Sequence, residues 1–153
     1  MMRTILVPLD GSPLSESVFE ALSRLELPGS PRLELLRVLG ATVATTFAGP
    51  GMVMPPPQVP DEVYEQERRA ATSYLDALRR RLQGEGWTVD IHLFEGPPAA
   101  AILEAQKKYG ADMIAMTTHG RTGLGRLVLG SVAQEVVHQS TVPVFLVRPA
   151  EGA

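Results

Sequence analysis

The feature that most restricts the fold lies near the start of the chain, in Arg3-Thr4-Ile5-Leu6-Val7-Pro8-Leu9. This short apolar run does not alternate with polar residues. A strand apolar on both sides needs both faces covered, as in a parallel sheet flanked by helices. Pro8 has no amide hydrogen to donate, so the ladder is expected to stop near it.

The rest of the chain supplies covering helices and further strands. Asp10-Gly11-Ser12 reads as a turn, with Ser12 as N-cap, Pro13 at the first helical position and Glu16 favouring the positive end of the dipole. Leu14, Val18, Ala21, Leu22 and Leu25 follow at helical spacing until Pro28-Gly29-Ser30-Pro31. Arg32 to Leu39 is a second predicted strand. Asp61 to about Gln83 is a long amphipathic helix with Val63, Ala70, Ala71, Tyr74, Leu75, Leu78 and Leu82 on one stripe. Trp87 to Phe94 alternates and reads as a strand near a sheet edge. Gly96-Pro97-Pro98 opens a helix bearing Ile102, Leu103, Gln106 and Tyr109 on one side, and Gly110 closes it. Asp112 to Thr117 is a fourth strand. Ser131 to about Gln139 is a helix with Val132, Ala133, Val136 and Val137 inward, and Pro143 to Val147 is a fifth strand. Strict β–α alternation predicts an α/β fold, an open five-stranded parallel sheet with helices on both faces and right-handed crossovers. With 153 residues the chain fits a single domain, 1–153.

Composition narrows the function classes. The net charge is −3, so the basic footprint expected of a nucleic-acid binder is absent. There is no cysteine, which excludes disulfides, thiolate metal sites and thiol catalysis. Met1-Met2-Arg3 leads straight into the first strand with no secretory pattern, and a cytoplasmic location is expected. The 14 glycines and 13 prolines are gathered at two places. Pro50, Pro55, Pro56, Pro57 and Pro60 fall in an uncharged stretch from Val38 to Pro60, long enough to suggest a membrane span. Its prolines break any such helix, and a flexible loop at about 40–60 is the reading adopted. Gly120, Gly123, Gly125 and Gly130 form the second cluster.

In an open α/β sheet, ligands bind beyond the carboxyl ends of the strands, at the point where strand order reverses. Two segments suit that place: Asp10-Gly11-Ser12, and the glycine loop from His119 to Ser131, which runs into a helix. A glycine loop before a helix N-terminus presents backbone N–H groups and a positive dipole to an anion, typically phosphate. The dinucleotide pattern G-x-G-x-x-G fails, because Val128 stands at its third glycine. The P-loop fails as well, because Ser131 stands where its lysine belongs.

The segment from Thr117-Thr118-His119-Gly120-Arg121 through Gly130-Ser131-Val132-Ala133 resembles the signature of the universal stress protein family. Ile5-Leu6-Val7-Pro8-Leu9-Asp10-Gly11-Ser12 and Pro143-Val144-Phe145-Leu146-Val147 are similar to its opening and closing strands. The resemblance covers nearly the whole chain. It implies the adenine nucleotide alpha hydrolase-like sheet, strand order 3-2-1-4-5, a homodimer through the strand 143–148, and ATP (or AMP or ADP) as ligand, with Mg2+ beside the phosphates. The ATP-binding members carry G-x2-G-x9-G-S/T. Gly120, Gly130 and Ser131 fit it, whereas Thr117 replaces the first glycine. Its side chain either crowds the ligand or donates a hydrogen bond to it. By the same resemblance Pro8 and Asp10 meet adenine and ribose, Val38 and Met116 wall the base, and Gly120, Gly130, Ser131 and Val132 hold the phosphates. Leu9, Thr117, His119 and Arg121 complete the candidate contacts.

Each of these residues also has an ordinary structural use. Asp10 suits a ribose diol and equally an Asx turn. Ser131 suits a helix cap. Val38 and Met116 are core residues by default, and Arg121 and Arg126 suit a solvated surface. For catalysis little is at hand. His92, His119 and His138 lack metal-ligand spacing, and no G-x-S-x-G elbow occurs. The only lysines are Lys107 and Lys108, far along the chain from the predicted phosphate loop. A nucleotide-holding switch or sensor of stress, without enzymatic turnover, is the leading expectation. A slow ATP hydrolase and a nucleotide-independent dimeric interaction module are the alternatives. The S-G-G-x-D-S pattern of the related ATP pyrophosphatases is missing at Leu9-Asp10-Gly11-Ser12.

Overall fold

The computed structural model describes residues 2–40, 59–118 and 129–149. The elements run β1 (Thr4–Leu9), α1 (Ser17–Ser23), β2 (Arg32–Leu39), α2 (Asp61–Gly84), β3 (Thr88–Glu95), α3 (Pro98–Tyr109), β4 (Met113–Thr117), α4 (Ser131–Gln139) and β5 (Val144–Val147). The strands form one sheet in the order β3-β2-β1-β4-β5 with every pairing parallel. That is the predicted order, with β1 central and β3 and β5 at the edges.

Strand alternation divides the core in two. Ile5, Val7, Leu9, Leu33, Leu35, Met113 and Ala115 pack with Val18, Phe19 and Leu22 of α1 and Leu75, Leu78 and Leu82 of α2. Leu6, Leu36, Val38, Ile114 and Met116 pack on the other face with Ala101, Ile102 and Ala105 of α3 and Ala133 and Val136 of α4. β1 serves both cores, and Ile5, Leu6 and Val7 are fully buried. At about 25 cal/mol per Å2 such side chains each contribute roughly 2 kcal/mol relative to exposure.

The structure corrects four local expectations. α1 begins at Ser17, later than the Ser12-Pro13 start predicted for it. The Ser12 hydroxyl donates to Asp10 Oδ1 at 2.5 Å, and residues 13–17 close i→i+3 turns, Glu16 N to Pro13 O and Ser17 N to Leu14 O, both at 3.2 Å. Val63 and Ala70 do not belong to the buried stripe of α2; Val63 is 50% exposed. A 24-residue helix is roughly 36 Å long, whereas the eight residues of β3 span roughly 26 Å, so its first turns overhang the sheet. Val137 is exposed because Ala133 and Val136 occupy the inward line of α4. Leu25 lies beyond the end of α1 and is exposed too.

The expected end of α3 is found. Gly110 ends α3 in the left-handed conformation, with φ 62°. Among the described residues, no helix is long and apolar enough to cross a membrane. Residues 41–58, which hold most of the predicted Pro-rich loop, and 119–128 lie outside the described residues.

Candidate functional site

The order reverses between β1 and β4, and the geometry of β1 explains why a crevice belongs there. Arg3 O accepts from Arg32 N at 2.8 Å at the start of β2, and Thr4 O accepts from Asp112 N at 2.9 Å at the start of β4. Backbone groups along a strand point alternately to its two neighbours. Thr4, Leu6 and Pro8 therefore face β4. The β1–β2 ladder is in register along all of β1, from Thr4–Arg32 to Leu9–Arg37. The β1–β4 ladder pairs Ile5 with Met113 and Leu6 with Ile114 and is not carried further. The next residue of β1 that would donate toward β4 is Pro8, which has no N–H. The ladder thus ends short on the side where the strand order turns.

Three strand ends and one helix start converge above this point. β1 ends in half-buried Pro8 and buried Leu9. Asp10 follows, and its Oδ1 accepts from the Ser12 amide at 2.8 Å and the Ser12 hydroxyl at 2.5 Å. This is the Asx turn expected of it, and it fixes the carboxylate at the mouth of the crevice. Gly11 has φ +85°, a conformation that favours glycine, and a Cβ there would stand 3.5 Å from Arg37 Nη2. β4 ends in Met116 and Thr117, both buried. Val38 at the end of β2 and Met116 sit in the core shared with α3 and α4, the ordinary use open to them. Thr117 pairs with Val147, and the next amide, Thr118 N, donates to Val147 O at 2.9 Å.

Gly130 N donates to Thr118 O at 2.7 Å, which ties the start of α4 to the end of β4. The first intrahelical bond of α4 runs from Gln134 N to Gly130 O. The amides of Ser131, Val132 and Ala133 precede it, and the N-cap residue, Gly130, has no side chain with which to cap them. Ser131 is not the N-cap expected; Gly130 takes that position and Ser131 is the exposed first residue of the helix. Val132 is half-buried against the α3/α4 core. The structure therefore brings Pro8, Leu9, Asp10, Val38, Met116, Thr117, Gly130, Ser131 and Val132 to one end of the sheet. His119, Gly120 and Arg121 lie outside the described residues.

Reading the sequence missed Arg37. It stands beside Leu9 in the ladder with its guanidinium against the Gly11 turn. A charged residue inside an otherwise apolar strand was the available signal. Glu34 is a similar case lower in β2. It is buried, and its Oε2 meets His92 Nε2 at 2.6 Å, with the imidazole stacked on Tyr109 at 3.8 Å. This pair lies under α3, away from the carboxyl end of the sheet. No group of three or more metal-ligating side chains occurs among the described residues.

A doubly wound parallel sheet with an interrupted ladder at its reversal point, an aspartate on one lip and a helix start on the other defines an anion- and sugar-compatible α/β binding fold. Comparison with known proteins gives the family. The pattern of the universal stress protein family matches residues 1–148, and the chain belongs to that family. The universal stress protein YxiE of Bacillus subtilis is 30% identical over 148 residues, 97% of this chain and 100% of its own length. The structure of MJ0577 from Methanocaldococcus jannaschii superimposes with a TM-score of 0.81 at 23% identity, covering 99% of each chain. A universal stress protein in complex with cAMP has a TM-score of 0.65 at 18% identity, over 97% of this chain and 98% of that one. An Arabidopsis thaliana family member with AMP bound has a TM-score of 0.63 at 18% identity, over 97% and 93%. These likenesses establish the shared fold.

Proposed function

We propose that this protein binds an adenine nucleotide, ATP or else AMP or ADP, at the carboxyl end of the β1–β4 reversal and serves as a nucleotide-dependent switch in a cytoplasmic stress response. The observation that carries the reading is the ladder stopping below Pro8, between the Asp10 turn and the first amides of α4, those of Ser131, Val132 and Ala133. Each part suits one part of the ligand. A carboxylate accepts from a ribose diol. Backbone N–H groups at a helix start bind phosphate. Val38 and Met116 at the strand ends offer apolar surface to a base. Structural neighbours with cAMP and AMP support the adenine class.

The chain has means to hold phosphates and little to transform them, so the reading is binding without turnover. Mg2+ would be carried on the phosphate oxygens, since it keeps most of its water and needs few protein ligands. Titration calorimetry with ATP and Mg2+ tests the reading: saturable heat is expected, and none at millimolar nucleotide would overturn it. Mass spectrometry of small molecules released from freshly purified protein would identify which nucleotide is carried.

We further propose a homodimer through residues 143–148. Every residue of β5 is half-buried, and the strand forms an apolar sheet edge, which tends to be paired or covered. Light scattering should report a dimer, and Phe145→Lys should shift it toward monomer. Thr117, buried where binding members carry glycine, favours the second reading, a dimeric interaction module without nucleotide. That module would elute empty and keep its Tm when ATP is added.

A further inference from the structure

The turn that carries Asp10 is held from outside by α2. Asp10 Oδ1 takes two hydrogen bonds from Ser12, and the Ser12 carbonyl accepts from the Ser15 hydroxyl at 2.8 Å. The next residue, Glu16, reaches away from the turn. Its Oε2 accepts from the Tyr74 hydroxyl at 2.9 Å, and its Oε1 lies 3.0 Å from Arg81 Nη2. Tyr74 and Arg81 stand seven positions apart, two turns along one face of α2. One carboxylate thus fastens the Asp10 turn to two levels of the longest helix. Burial and the Glu16 carboxylate both push the Tyr74 phenol well above its ordinary pKa, so it remains a proton donor in this bond. The charge of Asp10 acts on the phenol in the same direction.

Glu16 is the N-cap residue of α1, but its side chain makes no cap hydrogen bond to that helix and is given to α2 instead. Burial of the α1 face is already secured by Val18, Phe19 and Leu22. What the clamp adds is a fixed position for the segment between the end of β1 and the start of α1.

We propose that Glu16, held by Tyr74 and Arg81, is a positioning residue of the nucleotide site: it sets the Asp10 turn so that the carboxylate meets the sugar diol. This rests on the nucleotide reading above. A hydrogen bond to a ligand depends steeply on distance and angle, so a turn free to shift by even a fraction of an ångström loses the diol first. The base and phosphates, bound from other elements, are affected little.

The test is calorimetric titration of the full-length protein and its Glu16→Ala variant with ATP and with 2′,3′-dideoxy-ATP, which lacks the diol. The wild type should prefer ATP. Glu16→Ala should weaken ATP by about fivefold and leave dideoxy-ATP almost unchanged. A loss of packing alone would weaken both nucleotides equally, and that result would overturn the proposal, as would unchanged affinity for ATP. Tyr74→Phe, lacking only the hydroxyl, should show the same pattern to a smaller extent and stands in if Glu16→Ala does not fold. A wild type that binds neither nucleotide defeats the nucleotide reading and this inference together. A wild type that prefers ATP, with both variants unchanged, defeats only the positioning role.

Discussion

Two aspartates, one at each end of the sheet, accept hydrogen bonds from the backbone for different purposes. At the amino end, Asp112 Oδ2 takes the amides of Arg3 at 2.8 Å and Thr4 at 3.0 Å, residues more than a hundred positions away. It joins the start of β4 to the start of β1. At the carboxyl end, Asp10 takes the amide and hydroxyl of its own neighbour Ser12. These two bonds shape one turn. Bonds to a distant strand maintain the fold, whereas bonds within a loop set where its carboxylate stands at the crevice. On the nucleotide reading, the same residue type is structural below and positioned for a ligand above.

This contrast is open to direct attack. The largest effect should come from Gly130→Val. Gly130 has φ −58° and ψ 154°, which valine adopts readily, so the fold should survive. The β-branched side chain would stand at the helix start where, on the nucleotide reading, phosphate approaches. A wild type saturated at a hundredfold over Kd gains about 2.7 kcal/mol, a rise of several degrees in Tm. The variant should show none of it in a thermal-shift assay.

Next is Asp10→Ala. Loss of a charged acceptor for the diol should weaken ATP by roughly tenfold or more in calorimetry, with the unliganded Tm almost unmoved. If Tm falls and affinity stays, the assignment of the two ends is reversed.

Asp112→Asn should do the opposite, lowering the Tm without changing ATP affinity. The Arg3 and Thr4 amides hold the Asp112 carboxyl below the ordinary aspartate range. With the folded pKa depressed, the unfolded chain binds the extra proton, so this stabilisation is present above about pH 4 and is lost as pH falls through the folded value. Denaturant melts from neutral pH into acid should therefore fall less steeply for Asp112→Asn than for the wild type.

The smallest effect is Thr117→Gly, which supplies the glycine that the family resemblance implies for an ATP-binding member. It should cost about 1 kcal/mol of unliganded stability, as glycine does in a strand, and tighten ATP. Weaker binding would instead make the threonine hydroxyl a donor to the ligand.

Legibility of this fold in the sequence varied with the range of the interactions involved. α4 begins and ends where its periodicity places it, and the left-handed Gly110 ends α3 as expected. These depend on neighbours within a few residues. The start of α1 was misread because Ser12 is a cap by type and its hydroxyl does accept from the Ser15 amide, yet i→i+3 turns follow it and regular helix begins only at Ser17. Val63 looked buried because periodicity carries no information about where a sheet stops. The candidate site was legible as far as Asp10 and Gly130-Ser131, whose residue types carry the chemistry. Arg37 and the Glu16–Tyr74–Arg81 clamp were not, since their partners lie on other elements.

By itself, then, the sequence determined the parallel α/β class, the central apolar strand and the two loops at which a ligand could be held. Pro8 was visible there as the end of a ladder. Only the tertiary structure decided which ladder: its missing N–H falls on the side of β4 and leaves the pairing with β2 in register. The reason is geometric. A proline removes one donor wherever it stands, but the direction in which that donor would have pointed is set by the parity of the whole strand between two neighbours distant in the chain.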